Sequence, residues 1–386
     1  MSSFLFVVPP LTGHVNPTIS VARELATRGH EVAWVGHPGK VAPLLPEGAT
    51  LVPLDDRLPD AYFGAVVEKA RKVRGLASLQ FLWEELLVPL ARAMGPQVEA
   101  VIRERRPDVV VVDQQAVGGA LAARRLGVPF ATFCTTSAGV TKPLEGLPKV
   151  KEWVDEQLLK LQQEAGLAPV PAPDLSERLV VVFSTEALVG PLDRFPSHYR
   201  FVGPSISDRP DPTPFPWERL APGPRLLISL GTVNADRGGA AFWPTVARAL
   251  ADAPFQVIAV APEGEIPGPP ANFLVQARVP QLALLPEVQA VVSHGGHNTV
   301  CESLAHGLPL VLTPIRDDQP VIAQQVVDAG AGVRLRFGRL EAAQLRAAAE
   351  QVLQDPALRA AARVVQKSFA AAGGAPAAAT HLESLL

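Results

Sequence analysis

Four consecutive valines, Val109–Val112, stand between two aspartates, Asp108 and Asp113. A run that is apolar at every position cannot alternate a dry and a wet face. It fits a strand covered on both sides, and such strands belong to parallel sheets with helices on each face. The signal recurs at the start of the chain, where Phe4–Pro9 is a continuous apolar run. Pro10–Val15 reads as loop. Asn16-Pro17 reads as a helix start, a capping side chain followed by proline at the first helical position. Ile19, Ala22 and Leu25 keep helical spacing, Gly29 ends the helix, and Glu31–Val35 is the next strand. This βαβ unit builds a parallel sheet. After Asp113 a helix runs through Arg125, followed by strands at Val128–Phe133 and Leu179–Phe183.

A second cycle follows. Strands are expected at Arg225–Leu230, Phe255–Val260, Ala290–Ser293, Pro309–Leu312 and Val333–Phe337. Helices are expected at Ala240–Leu250, Asn298–Ala305, Gln319–Ala329, Leu340–Leu353 and Pro356–Phe369, and Gly231–Gly239 reads as loop. Between the cycles, Gly203–Pro224 holds seven prolines, and a stretch of that kind behaves as a semi-rigid spacer. The expected fold class is therefore α/β, two Rossmann-like domains facing a cleft. The first spans 1–203, a Pro-rich linker 204–224, and the second 225–366. A C-terminal helix over 367–386 is expected to cross back to the first domain. Ligands of open α/β sheets bind beyond the carboxyl ends of the strands. The loops around His14 and Thr232 are expected there.

Composition narrows the function classes. A chain of 386 residues suggests two or three domains. With 35 Lys+Arg against 38 Asp+Glu the net charge is −3, so there is no basic excess to attract nucleic acid. No apolar run approaches the roughly 18 residues of a membrane span. Met1–Pro10 lacks the basic flank of a signal peptide and reads as a first strand. The only cysteines are Cys134 and Cys301, which excludes a disulfide framework and fits a reducing cytoplasm.

The chemistry-bearing residues fall at expected strand ends. Ser293-His294-Gly295-Gly296-His297-Asn298-Thr299 follows a strand and opens a helix. Glycines allow close backbone approach, and a helix start presents N–H groups, a combination that binds phosphate; an ordinary tight turn is the competing reading. His297 and Cys301 are four apart on one helix near His294 and His306, which raises a metal reading. Asn298 and Thr299 suit an anion instead. Ser229-Leu230-Gly231-Thr232 offers a second phosphate contact. Asp317-Asp318-Gln319 either caps a helix or supplies polar groups for sugar hydroxyls. His14 lies in a Gly-His-Val-Asn-Pro loop, and Asp113 ends the valine strand. A carboxylate beside an imidazole fixes its tautomer and supports its protonated form, while a helix cap is the competing role for Asp113. No Gly-x-Gly-x-x-Gly, Walker loop, Gly-x-Ser-x-Gly or Asp-x-Asp occurs.

Taken together, these motifs resemble the UDP-glycosyltransferase superfamily in its bacterial branch acting on lipophilic natural products, including macrolides. The likeness runs along nearly the whole chain and is strongest over Arg278–Gln319. It implies the GT-B fold, inversion at the anomeric carbon and metal-independent chemistry, with no cofactor beyond a UDP-sugar co-substrate. It implies that His14 is the catalytic base and Asp113 its orienting carboxylate. By the same resemblance Arg278, Val279 and Gln281 contact uracil; plant relatives carry tryptophan at Arg278, and a guanidinium plane also stacks on a base. Thr232, His294, Gly296, Asn298 and Thr299 match diphosphate contacts, and Glu302 matches the acid on the ribose. His297 stands where plant relatives have tryptophan. Asp318 and Gln319 match the residues that hold sugar hydroxyls, which suggests glucose. The acceptor, a lipophilic hydroxyl compound such as a polyketide, phenolic or carotenoid, is expected in the amino-terminal half, with Tyr62, Phe63, Phe81, Trp83 and Trp153 as walls. The alternatives are a nucleotide-sugar epimerase of the same fold and a non-catalytic helper of a glycosyltransferase.

Overall fold

The computed structural model describes residues 1–55, 58–70, 73, 75–141, 144–206, 211, 213–231 and 239–386. The chain divides into two compact units. Unit 1 comprises Met1–Ser184, Pro191–Ser207 and Ala372–Leu386, and unit 2 comprises Thr185–Gly190 and Asp208–Ala371.

Among the described residues, unit 1 holds a seven-stranded sheet: β1 (Ser3–Val7), β2 (Glu31–Gly36), β3 (Thr50–Pro53), β4 (Val109–Asp113), β5 (Phe130–Cys134), β6 (Val180–Val182) and β7 (Tyr199–Phe201), in the order β3-β2-β1-β4-β5-β6-β7. Every neighbouring pair is parallel, with Val7 beside Val112. The valine run shows why each position is apolar. Val109 and Val111 enter a core with Phe4 and Phe6 on one face, while Val110 and Val112 enter another with Leu5 and Val7.

Unit 2 repeats the plan with β8 (Arg225–Ser229), β9 (Gln256–Val260), β10 (Phe273–Gln276), β11 (Ala290–Ser293), β12 (Leu310–Leu312) and β13 (Gly332–Arg334). The order is β10-β9-β8-β11-β12-β13, again parallel throughout. In each unit the strand order reverses beside the first strand, and the carboxyl edge at that switch point is where α/β sheets take ligands.

Two glycines set the backbone that follows Asp113. A Cβ on Gly118 would lie 2.5 Å from the Ala91 carbonyl, and one on Gly119 would lie 2.7 Å from Val7 Cγ1. The helix Val117–Leu126 is thereby pressed onto both the helix Val88–Arg105 and the sheet.

Two expectations need correction. The first helix spans Thr12–Thr27, not Asn16 onward, so His14 sits in its first turn. The Leu11 carbonyl accepts the N–H groups of His14 (2.9 Å) and Val15 (3.1 Å), which closes the turn ahead of Pro17. Pro17 therefore lies inside the helix, past its first turn, and withholds one N–H from the ladder. Next, the stretch 367–386 is not one helix. Helix Pro356–Ala372 ends at Gly373 (φ 87°) and a second helix, Gly374–Glu383, follows. Ala378, Ala379 and Leu382 of that helix join the core around Phe4 and Phe6, and Glu383 pairs with Arg28 (2.6 Å) and His30 (2.9 Å). The Pro-rich stretch, for its part, is hydrogen-bonded at both ends. Ser205 Oγ donates to the Pro17 carbonyl (2.7 Å) in unit 1. In unit 2, Gln256 accepts from Ala221 N–H and donates to the Arg219 carbonyl, each at 2.8 Å.

Candidate active site

In unit 1 the ends of β1, β4 and β5 bring three side chains together. Nδ1 of His14 lies 2.9 Å from both carboxylate oxygens of Asp113. Thr135, just past β5, donates through Oγ1 to Asp113 Oδ2 at 2.7 Å and lies 2.8 Å from His14 Nδ1. The N–H of Gln115 donates to Asp113 Oδ1 at 2.8 Å. The Asp113 side chain is wholly buried, whereas that of His14 keeps 15% exposure. A carboxylate on Nδ1 holds the proton there, so the ring's basic lone pair resides on Nε2. The competing role of Asp113 as a helix cap is confined to that Gln115 contact.

In unit 2 the turn after β11 carries the phosphate-type motif. Gly295 has φ 87°, Gly296 is the N-cap residue of helix His297–Ala305, and Thr299, Val300 and Glu302 lie buried along it. The His294 ring is seated between two glycines. A Cβ on Gly231 would lie 2.5 Å from its Cε1, and one on Gly296 would lie 2.5 Å from its Nε2. Nδ1 of His294 is buried with no hydrogen-bond partner. Burial pushes the imidazole down to about 4; a contact with the Ser229 carbonyl pulls upward and the Arg316 cation pushes further down. His294 is therefore neutral at pH 7 and offers a ligand a dipole rather than a charge.

The neighbouring turn, after β12, leads into helix Gln319–Asp328. Gln319 Oε1 accepts the N–H groups of Ile315 (2.9 Å) and Arg316 (3.1 Å), so its oxygen is committed to its own loop. What Gln319 leaves for a ligand is its amide nitrogen. Asp318 is the N-cap residue, and its side chain makes no cap hydrogen bond. Gln281 Nε2 donates to Glu302 Oε2 at 2.5 Å, which joins two residues matched to nucleoside contacts. Arg278 is exposed, Val279 and Asn298 half-buried. Thr232 lies outside the described residues.

Cys301 Sγ lies 3.5 Å from His297 Nε2. Burial raises the thiol well above its ordinary range, which disfavours the thiolate that a metal needs. Among the described residues no group of three or more His, Cys, Asp or Glu side chains is placed to hold a metal ion. No helix among them is long and apolar enough to cross a membrane.

Of the expected acceptor walls, Phe63 is buried and Tyr62, Phe81 and Trp83 are half-buried in one apolar cluster with Val66, Leu86 and Leu87. Trp153 belongs to another cluster with Val154 and Leu158, which Trp83 also touches. Two residues at the sites carry no signal in the sequence reading. Thr135 stands in a run of small polar residues, and Arg316 just ahead of Asp317-Asp318-Gln319.

The C-terminal domain model of the erythromycin biosynthesis protein CIII-like family matches residues 250–385. The NDP-glycosyltransferase YjiC of Bacillus licheniformis is 30% identical over 394 residues, covering 98% of this chain and 96% of the relative. The protein of the same name from Bacillus subtilis is 29% identical over 395 residues, covering 98% and 95%. Among solved structures, the glycotransferase of kitacinnamycin matches with a TM-score of 0.80 at 26% identity, over 100% of this chain and 99% of its own.

Proposed function

The chain belongs to the nucleotide-sugar-dependent glycosyltransferases of GT-B fold, in the branch of the macrolide and natural-product enzymes, and on that premise we propose that it moves glucose from UDP-glucose to a hydroxyl of a lipophilic small molecule, with inversion and without a metal. The observation that carries the reading is the His14–Asp113 contact with Thr135 behind it. Nε2 of His14 takes the proton of the acceptor hydroxyl as its oxygen attacks the anomeric carbon. The bond from that carbon to the diphosphate oxygen breaks on the opposite face, and UDP departs. Asp113 stabilises the imidazolium until its proton passes to solvent. An α-linked donor thereby gives a β-glycoside.

In unit 2 the nucleoside is assigned to Arg278, Val279, Gln281 and Glu302. The diphosphate is assigned to His294, Gly296, Asn298 and Thr299 at the helix N-terminus, with Thr232, and the sugar hydroxyls to Asp318 and Gln319. The acceptor is assigned to the cluster around Phe63 in unit 1. The two buried free thiols fit work in the cytoplasm.

The test is incubation with UDP-glucose, and in parallel dTDP-6-deoxysugars, against a panel of phenols, polyketides and carotenoid alcohols, with EDTA present. Glucoside mass and stoichiometric UDP release are expected. A preferred dTDP-deoxysugar overturns the donor assignment. Activity abolished by EDTA and restored by magnesium or manganese overturns the metal-free mechanism.

A further inference from the structure

The donor loops contain a buried cation with no counterpart in the motif reading. Arg316 is 9% exposed. Its backbone is clamped twice by one residue: its N–H donates to Gln319 Oε1 and its carbonyl accepts the Gln319 N–H, both at 3.1 Å. Gln319 in turn abuts the phosphate-type turn, since a Cβ on Gly295 would stand 3.1 Å from the Gln319 carbonyl. Arg316 is thus held beside the 294–296 turn and the N-terminus of helix His297–Ala305. Its Nε lies 3.1 Å from Asp317 Oδ2, yet in an orientation that makes a charge contact and no hydrogen bond. Asp317 sits at φ 54°, left-handed backbone that aspartate tolerates better than most residues. His294 Nδ1, at the same turn, is a second buried polar atom without a hydrogen-bond partner. A buried guanidinium whose Nε makes no aligned hydrogen bond, held beside a helix start and the buried His294 ring, describes an anion site whose charge His294, being neutral, does not supply.

Resting on the reading of unit 2 as the nucleotide-sugar site, we propose that Arg316 is the fixed cation of that site and pairs with the phosphate oxygens of the nucleoside diphosphate. On binding, the guanidinium exchanges its misaligned contact with Asp317 for aligned, charge-assisted bonds to phosphate. Asp317 acts as a place-holder that competes with the ligand. The two neighbours therefore have opposite effects on affinity, which a purely structural ion pair does not produce.

The experiment is titration calorimetry with UDP on the full chain and on Arg316→Gln, Arg316→Lys and Asp317→Asn, with uridine followed by ligand-observed NMR and melting midpoints measured without ligand. Arg316→Gln is expected to weaken UDP about 10- to 100-fold, the size of one lost charged hydrogen bond, and to leave uridine unchanged. Arg316→Lys, which keeps the charge and loses the fork, falls between. Asp317→Asn keeps the backbone and tightens UDP about two- to fivefold through removal of a partly screened repulsion. UDP-glucose and UDP-glucuronate are expected to lose equally in Arg316→Gln. Unchanged UDP affinity in a folded Arg316→Gln overturns the proposal. So does a loss confined to UDP-glucuronate, which assigns the arginine to a sugar carboxylate, and so does weakened UDP binding in Asp317→Asn, which marks the pair as a structural clip. If the unaltered chain binds no UDP, the nucleotide reading of unit 2 falls first and this proposal with it.

Discussion

Thr135→Val removes one hydroxyl and almost no volume, and the expected result can be worked from the contacts of Asp113. The buried carboxylate takes hydrogens from three groups: His14 Nδ1–H, Thr135 Oγ1–H and Gln115 N–H. With no solvent at the side chain, no water replaces the lost donor. A hydrogen bond to a charged group contributes about 1.5–3 kcal/mol, so the folded state should lose about that much. Only part of this reaches the reaction. The carboxylate keeps two donors but loses the one that fixes its tilt against His14. If half of the loss appears in the transition state, kcat/KM for an aliphatic alcohol falls about 3- to 12-fold. An acidic phenol, which gives up its proton readily, should lose less. The assay compares Thr135→Val, Thr135→Ser and the unaltered chain on an alcohol and a phenol, alongside urea midpoints. Serine should restore both rate and stability. A valine variant that is destabilised but equally active on both acceptors would refute the link to the base and leave Thr135 a packing residue.

His14→Ala should lose about 10²–10⁴-fold on alcohols and still bind UDP in calorimetry, since the proposed nucleotide contacts are all in unit 2. Gly231→Ala and Gly296→Ala each drive a methyl to 2.5 Å from the His294 ring and should weaken UDP about tenfold or more, read by the same titration. Gln319→Ala releases the clamp on Ile315 and Arg316 and should weaken free UDP as well as sugar discrimination; an effect on the sugar alone counts against the clamp. His294 protonates at about 4 in the folded chain against 6.5 unfolded. The unfolded chain takes up its proton first, so His294's contribution is whole above pH 6.5 and is lost as pH falls toward 4, by about 3 kcal/mol in all. Urea midpoints of the unaltered chain should therefore fall more steeply over that window than those of His294→Gln.

The strands buried on both faces were legible because every residue ahead of the carboxyl end had to be apolar: Ala290–Ser293 and Val109–Asp113 stand where the pattern puts them. Strands β3, β7 and β10 carry weaker signals. Thr50–Pro53 and Tyr199–Phe201 are half-exposed edges, so neither continuous apolarity nor clean alternation marks them. The start of the first helix is masked in the sequence because Asn16-Pro17 has the chemistry of a cap, while backbone bonds to Leu11 close a turn earlier. At the sites, His14 and Asp113 could be paired because sheet topology brings the ends of β1 and β4 together. Thr135 could not, since nothing local separates it from Thr136 and Ser137. Gln319 reads as a sugar contact in a motif, and only coordinates reveal that its oxygen is occupied by its own loop.

The return of residues 372–386 to unit 1 makes unit 2 an insertion within the other unit's chain. During synthesis the ribosome must deliver the whole of unit 2 before it supplies Ala378, Ala379 and Leu382 to the core that contains Phe4 and Phe6. The usual order, in which the domain nearer the amino terminus matures first, is therefore reversed for this core. Until then the face awaiting Gly374–Glu383 is open apolar surface on a nascent chain, a place for chaperones to hold. A cut after unit 2 leaves that unit whole, and what it exposes is the core beneath the first strand.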